Sequence, residues 1–288
     1  MVYNGIMVGI FSWYGVPQTF IQRIKSIKNA GFDSTSIWLG EDNRREMGLE
    51  DKPSIIRDCG LILEYAHAPY GNINSLWDKF RSREMEQEIE RHIDYCSKNE
   101  IPILVIHLTK GYRIKEANEY GLIALRRLIE HAKDKKIRIA AENTKQNNVL
   151  EKVLNEIQDP ALGLCFDTSH DNLYGDLKFG IMEKYRERLL CLHISDNDGH
   201  VDDHWIPHQG KIDWEAFTHR FPREYGGILN LEILPKGKTA DGDALLAEAY
   251  KVIKEIEIDI HAKRSRSLEN DVKRMDHALP PGAVGEGQ

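Results

Sequence analysis

Residues 162–170, LGLCFDTSH, end an apolar run in Asp167 and place His170 three residues later. Short apolar runs of this kind read as buried parallel strands, so the carboxylate and the imidazole fall where a strand gives way to its loop. Placed there, both can reach one metal ion or one substrate. Alone, D-x-x-H is equally a hydrogen-bonded loop. The same grammar recurs along the chain, with an apolar run leading into His67, His107, Glu142, His193 or Glu232. Six polar residues at one level on neighbouring strands share no structural use, and carboxylates that face one another raise each other's pKa. A bound cation removes that penalty, so the set reads as a candidate metal site. His and carboxylate ligands without cysteine suit Mn, Mg, Zn, Co or Fe. The loop after His193, HISDNDGHVDDHWIPHQGKIDW, adds a D-x-H pair, Asp202 and His204. His200 and His208 in the same loop read as solvated.

These residues need a scaffold that brings strand ends together. Strands are expected over residues 6–13, 34–39, 61–70, 103–109, 137–143, 162–167, 190–195 and 228–234. Helical spacing of apolar residues marks 19–30, 82–99, 114–135, 149–157, 179–189, 214–221 and 243–256, with a short helical piece at 53–57. Residues 41–50 read as a loop or short helix. Strands that alternate with helices make an α/β chain with a parallel sheet, here a single-domain (β/α)8 TIM barrel over residues 1–261. An open doubly wound sheet would want a Gly-rich phosphate turn after its first strand, and FSWYGVP is not one. Residues 262–288 read as a tail outside the barrel, a short helix or disordered. Strand side chains alternate, so the residues two positions below the polar ring (Tyr65, Val105, Ala140, Cys165, Cys191 and Asn230) should form the interior layer beneath it.

Composition narrows the function classes. The chain has 288 residues, 41% of them hydrophobic and 30% charged, with a formal net charge of −7. That length suits one α/β barrel. The acidic balance gives no electrostatic footprint for nucleic acid. No apolar run reaches a membrane span, and the opening MVYNGIMVGIF lacks a basic n-region and a cleavage site. The four cysteines form no C-x-x-C pair and read as reduced thiols of a cytoplasmic protein.

The motifs together resemble the xylose-isomerase-like barrel superfamily, which holds sugar (phosphate) isomerases and epimerases together with endonuclease IV. The resemblance rests on HAPY at His67, AEN at Glu142, FDTSH at Asp167 and His170, LHISDNDG at His193, the D-x-H pair, and NLEI at Glu232, and it spans about residues 6–256. It implies a divalent ion held by Glu142, Asp167, His193 and Glu232, as in the epimerase members. In the endonuclease members three zinc ions use those positions plus His67, His107, His170, Asp202 and His204. This chain has a suitable residue at all nine, so one ion per chain is favoured and up to three are allowed for.

INSLW after HAPY and the text of the His193 loop look like the isomerase and epimerase branch. The expected activity is a metal-dependent isomerisation or epimerisation of a sugar or sugar phosphate. Glu142 and Glu232 would move a proton through a metal-stabilised enediolate, with His170 bonded to a substrate oxygen. Trp13, Trp38 and Trp205 could stack on the sugar, and Lys236 and Lys238 could meet a phosphate. Ketohexose epimerases carry an Arg shortly after the strand-seven His and an acid six positions after the strand-five Glu. Here those places hold Gly199 and Asn148, which sets the chain apart from them. The alternative is an endonuclease IV-like, zinc-dependent abasic-site phosphodiesterase, with Tyr70 as a DNA wedge and a positive crescent around the mouth. A barrel with a vestigial site is the third reading, and the intact ligand set argues against it. The expected partner is a small carbohydrate; a homo-oligomer is left open.

Overall fold

The computed structural model describes residues 5–40, 47–237 and 241–278, with residues 267–278 described by their backbone alone. Eight parallel strands form the sheet: β1 (Val8–Phe11), β2 (Ser34–Trp38), β3 (Ile62–His67), β4 (Ile103–His107), β5 (Arg138–Glu142), β6 (Leu162–Asp167), β7 (Leu189–His193) and β8 (Leu229–Leu231). From β1 to β7 each pairs with the next in sequence, and β1 also pairs with β8. The ring closes between β7 and β8, where Ile194 N–H donates to Asn230 O (2.9 Å) and Glu232 N–H to Ile194 O (3.1 Å). The chain is a single-domain (β/α)8 barrel.

Local chemistry sets the helices around it. α1 (Phe20–Ala30) opens on a capping box between Thr19 and Gln22 and ends at Gly31, whose φ of 103° only glycine adopts cheaply. α3 (Ser82–Lys98) buries Met85, Ile89, Ile93 and Cys96 at helical spacing. α4 (Glu119–Asp134) starts five residues later than the apolar pattern suggests, because the Asn118 side chain caps it at Gly121 N–H. The other helices are α2 (Lys52–Asp58), α5 (Asn147–Glu156), α6 (Thr168–Tyr174), α7 (Gly180–Lys184), α8 (Trp214–Arg220) and α9 (Gly242–Ala278). The single helix expected over 179–189 is instead α7 followed by a 3-10 turn at Arg186–Arg188.

The last helix runs well past residue 256. Ile253, Ile256 and Ile260 are buried on one face. Beyond them Lys263 Nζ donates to Glu215 O (3.0 Å) and Arg264 Nη2 to Pro222 O (2.7 Å). Residues 262–278 thus continue α9 rather than start a separate element; the expectation for 279–288 lies outside the described residues, as do most of the loop at 41–50 and Lys238.

Two apolar layers follow from strand alternation. One face packs under the helices, with Ile10, Ile37, Ala66, Leu104, Ala141, Phe166 and Leu192 in it. The other fills the barrel with Phe11, Tyr65, Ile103, Val105, Ala140, Cys165 and Cys191. Five of the six residues expected beneath the polar ring are in this inner set. The sixth, Asn230, is buried too and donates to Tyr65 Oη at 2.6 Å. Bulky rings lie opposite small side chains, which is how a narrow barrel is filled without a channel.

β6 and β7 shift register between Leu164 and Cys165, next to Gly163, where β7 and the turn before it come close. A Cβ on Gly163 would stand 2.3 Å from Arg188 O and 2.5 Å from Leu190 Cγ. Gly163→Ala should therefore destabilise the fold by about 1–3 kcal/mol through overpacking against backbone. Gly226→Ala, where nothing lies within 4 Å of the added atom, serves as control. Equal denaturant midpoints for the two variants would contradict this account of the β6–β7 seam.

Candidate metal centre

The barrel's register brings the strand-end residues to one place. His107 pairs with Glu142 across β4 and β5, and Asp167 with His193 across β6 and β7. β8 ends at Leu231, so Glu232 stands one residue beyond its strand and leans over the mouth. Its side chain is 25% exposed, against 2% for Glu142 and none for His193.

Glu142 is the hub. Its Oε2 lies 3.0 Å from His67 Nε2 and 2.9 Å from His107 Nε2. Its Oε1 faces His170 Nδ1 at 3.0 Å and His193 Nδ1 at 3.4 Å. The same His193 nitrogen is 2.9 Å from Glu232 Oε2 and 3.8 Å from Asp167 Oδ2, so three carboxylates converge on one imidazole nitrogen. Beside this cluster, His170 Nε2 meets Asp202 Oδ2 at 3.0 Å and His204 Nε2 meets Asp202 Oδ1 at 3.3 Å. His204 is held at a positive φ of 53°.

The ligand atoms fall into three groups, each within 4.8 Å: Glu142, Asp167, His193 and Glu232; His67, Glu142 and His193; and His170, Asp202 and His204. Five buried atoms of these groups make no hydrogen bond: Asp167 Oδ2, both ring nitrogens of His193, His170 Nδ1 and Asp202 Oδ1. Buried polar atoms are almost always satisfied, so close but misaligned donors and acceptors at one spot fit a shared cation. The donor set, imidazole and carboxylate, suits a divalent ion.

Electrostatics follow the same pattern. Burial alone would raise the Glu142 carboxyl, but the His107 and His193 imidazoles overcome it and hold it well below the usual carboxylate range. Burial likewise opposes Glu232, and His193 outweighs it to bring that group down to about 2. Asp167 goes the other way, pushed up to about 6 by burial. Burial works against protonation of His193, yet Glu232 and Glu142 push it well above its ordinary value.

The tryptophans expected near the mouth separate. Trp38 packs 5.2 Å from the His67 ring and beside Tyr70. Trp13 joins the barrel-interior cluster under the Arg23 guanidinium. Trp205 is half-buried and covered by Lys236, whose Nζ lies 3.8 Å from the ring and donates to Gln209 O at 2.9 Å. His200 and His208 are exposed and belong to none of the three groups.

Residues that the motif reading passed over hold the ligands in place. Asn143 bridges strand ends: its Oδ1 accepts from Asp167 N–H (2.6 Å) and its Nδ2 donates to Asp167 O (2.9 Å). Thr168 Oγ1 donates to Ser195 O (2.6 Å) and accepts from Ser195 N–H (3.0 Å). Asp196 is fully buried and organises the loop that carries Asp202 and His204. Its two oxygens accept from the N–H groups of Asn197 (2.8 Å), His208 (2.9 Å) and Ile212 (3.1 Å) and from Trp214 Nε1 (2.9 Å). The only advance signal was the S-D-N-D-G turn composition.

The fold, with polar side chains gathered at the strands' carboxyl ends, defines a class, the (β/α)8 barrels with a candidate metal site at that face. The chain belongs to the xylose isomerase-like TIM barrel family, whose family model matches residues 24–256. Among solved structures it is similar to an L-ribulose 3-epimerase (TM-score 0.74, 15% identity, 96% of this chain and 100% of that one). It is also similar to 3-keto-D-glucoside 4-epimerase from E. coli (TM-score 0.68, 16% identity, 88% and 99%). A fusion of a xylose isomerase-like barrel with a 4-hydroxyphenylpyruvate dioxygenase matches at TM-score 0.75 and 18% identity; 98% of this chain covers 46% of that protein. Protein y4fM of Sinorhizobium fredii (strain NBRC 101917 / NGR234), uncharacterized, is 30% identical over 94 residues, 31% of this chain and 30% of that protein. Among the described residues no helix is long and apolar enough to cross a membrane.

Asp196→Asn tests the loop's support without touching a ligand. The amide keeps one acceptor oxygen and turns a donor toward N–H groups, at a cost of about 1–3 kcal/mol per unsatisfied group. The variant should unfold at lower denaturant and retain less divalent metal than the parent; unchanged stability and metal retention would contradict the role given to Asp196.

Proposed function

We propose that the chain is a divalent-metal-dependent isomerase or epimerase acting on a small carbohydrate. The observation that carries this reading is the convergence of Glu142, Asp167, Glu232 and His193 within 4.8 Å at the barrel mouth, with one carboxylate, Glu232, partly open to solvent. A bound divalent ion would supply Lewis acidity toward a carbonyl and a neighbouring hydroxyl oxygen. Glu232, held ionised by His193 and partly open to solvent at the rim, is the base that removes the proton from the carbon beside the carbonyl. Glu142 is the second carboxylate. His67 and His107 hold its Oε2, and its Oε1, which faces the Nδ1 atoms of His170 and His193, is the oxygen that would return a proton to the substrate. His170, fixed by Asp202 on one ring nitrogen, directs the other toward the centre, where it can bond a substrate oxygen. The epimerases among the structural neighbours support the carbohydrate class.

A second reading has its own observation. The two further ligand groups, one sharing Glu142 and His193 with the first, would also suit a cluster of ions and hydrolysis of a phosphodiester in abasic DNA.

The test is solvent exchange. Metal-loaded protein in heavy water, given a panel of ketoses and inosose-like polyols, should place deuterium on the carbon next to a substrate carbonyl, read by NMR. Glu232→Gln should slow the exchange by about 10²-fold or more. No exchange with any member of the panel, together with cleavage of an abasic-site duplex, would replace the first reading by the second.

A further inference from the structure

β3 breaks strict alternation at one place. Thr35 of β2 pairs with Leu63 and Ile37 with Ala66, so β3 advances three residues while β2 advances two. The extra residue makes a β-bulge, which turns two successive side chains toward one face. Leu63 and Ala66 pack under the helices, and Tyr65 fills the barrel. Glu64 therefore enters the barrel beside Tyr65 and is buried there.

Nothing in the inner layer neutralises this acid. Among the described residues no Lys, Arg or His forms an ion pair with Glu64, and its Oε2 makes no hydrogen bond. Burial pushes the carboxyl up to about 8, against the pull of the His193 imidazole and the Ile228 backbone N–H. Tyr65 and Tyr225 are the other titratable groups that feel its charge.

Two more oxygens nearby are buried and make no hydrogen bond, Ser34 Oγ and Asn230 Oδ1. Ser34 and Asn230 flank Gly9 of β1 in register. A Cβ on Gly9 would stand 2.6 Å from each of these oxygens and 3.2 Å from Ile228 Cγ2. Only glycine fits there, and the two oxygens converge over it. Ile228 borders that point and also faces the Glu64 carboxyl, which brings the acid to the same pocket. The amide donor is already engaged, since Asn230 Nδ2 donates to Tyr65 Oη at 2.6 Å.

Three buried oxygens from β2, β3 and β8 thus share one lack, a positive partner. Water alone would satisfy them only with Glu64 kept protonated. Hard cations take oxygen ligands of this kind. With one carboxylate in the set, a monovalent ion leaves the interior neutral, whereas a divalent ion would bury a net positive charge.

We propose that Glu64, Ser34 and Asn230 bind one monovalent cation, sodium or potassium, inside the barrel beneath the divalent-metal centre. The site stands apart from the reaction at the mouth, but its occupant steadies the residues above it. Asn230 fixes the Tyr65 hydroxyl, and the Tyr65 ring packs 5.4 Å from His193. Asn230 O also accepts from Ile194 N–H (2.9 Å), where β7 meets β8.

The pH dependence has a definite sign. Without an ion, Glu64 is protonated in the fold and ionised when unfolded, so stability falls as pH rises from 4.5 to about 8. A bound ion replaces the proton and offsets that loss.

Thermal unfolding of the full chain, loaded with divalent metal, tests this at a pH above about 8. In NaCl or KCl the midpoint should exceed that in tetramethylammonium chloride of equal ionic strength by about 3 °C or more, and should climb with alkali-ion concentration. Glu64→Gln keeps the shape without the charge, and its midpoint should be the same in all three salts. Equal midpoints for the parent would overturn the proposal and leave a proton and ordered water as the occupants. An alkali-ion effect that persists in Glu64→Gln would overturn it as well, because the ion would then act elsewhere. If that variant does not fold, anomalous scattering from a rubidium-soaked crystal of the parent decides. A peak among Glu64, Ser34 and Asn230 is expected, and a crystal with no peak inside the barrel would contradict the site.

Discussion

The structure turns on a single electrostatic problem, the burial of Glu142, Asp167 and Glu232 among imidazoles at the top of the barrel. Removing an ionised carboxylate from water costs several kcal/mol unless it is paired and bonded. Glu142 meets this with four imidazoles, two on each oxygen. Asp167 meets it only in part, with one oxygen bonded to the His170 N–H and the other unbonded. His193, whose Nδ1 lies within 3.8 Å of all three acids, makes no hydrogen bond with either ring nitrogen. A constellation of short contacts with poor alignment fits groups that would share one cation as their common partner.

The rest of the fold keeps this cluster from relaxing. Below it the barrel is packed with Phe11, Tyr65, Val105, Ala140, Cys165 and Cys191, so the charged groups cannot sink inward. Beside it, the Tyr65 ring packs 5.4 Å from His193 while its hydroxyl is fixed by Asn230. Above it, Asp196 binds four donors and holds the loop that returns Asp202 and His204 over the mouth. Strand, inner layer and loop each restrict one direction of movement. A site so restrained is preorganised for whatever its convergent groups bind.

Much of this was legible in the sequence because the two signals involved are local. Strand parity alone put Tyr65, Val105, Ala140, Cys165 and Cys191 beneath the polar ring, and polar residues at apolar strand ends marked the ring itself. Element ends were less legible. Asn118 and Asp167 cap helices that hydrophobic spacing did not delimit, and α9 runs on because Ile260 continues its buried face into a charged segment. The supporting polar residues were hidden for a different reason. Asn143, Thr168 and Asp196 bond to backbone or side-chain groups brought up by other strands and loops, and no spacing within one segment shows that.

The most direct test of the central claim is the metal content of the chain, by elemental analysis after purification without added metal or chelator. The account predicts at least one equivalent of a divalent ion per chain, and its loss in His193→Ala with the barrel still folded by circular dichroism. A folded parent chain that holds no divalent ion, and takes none up on dialysis against manganese or zinc, would contradict it.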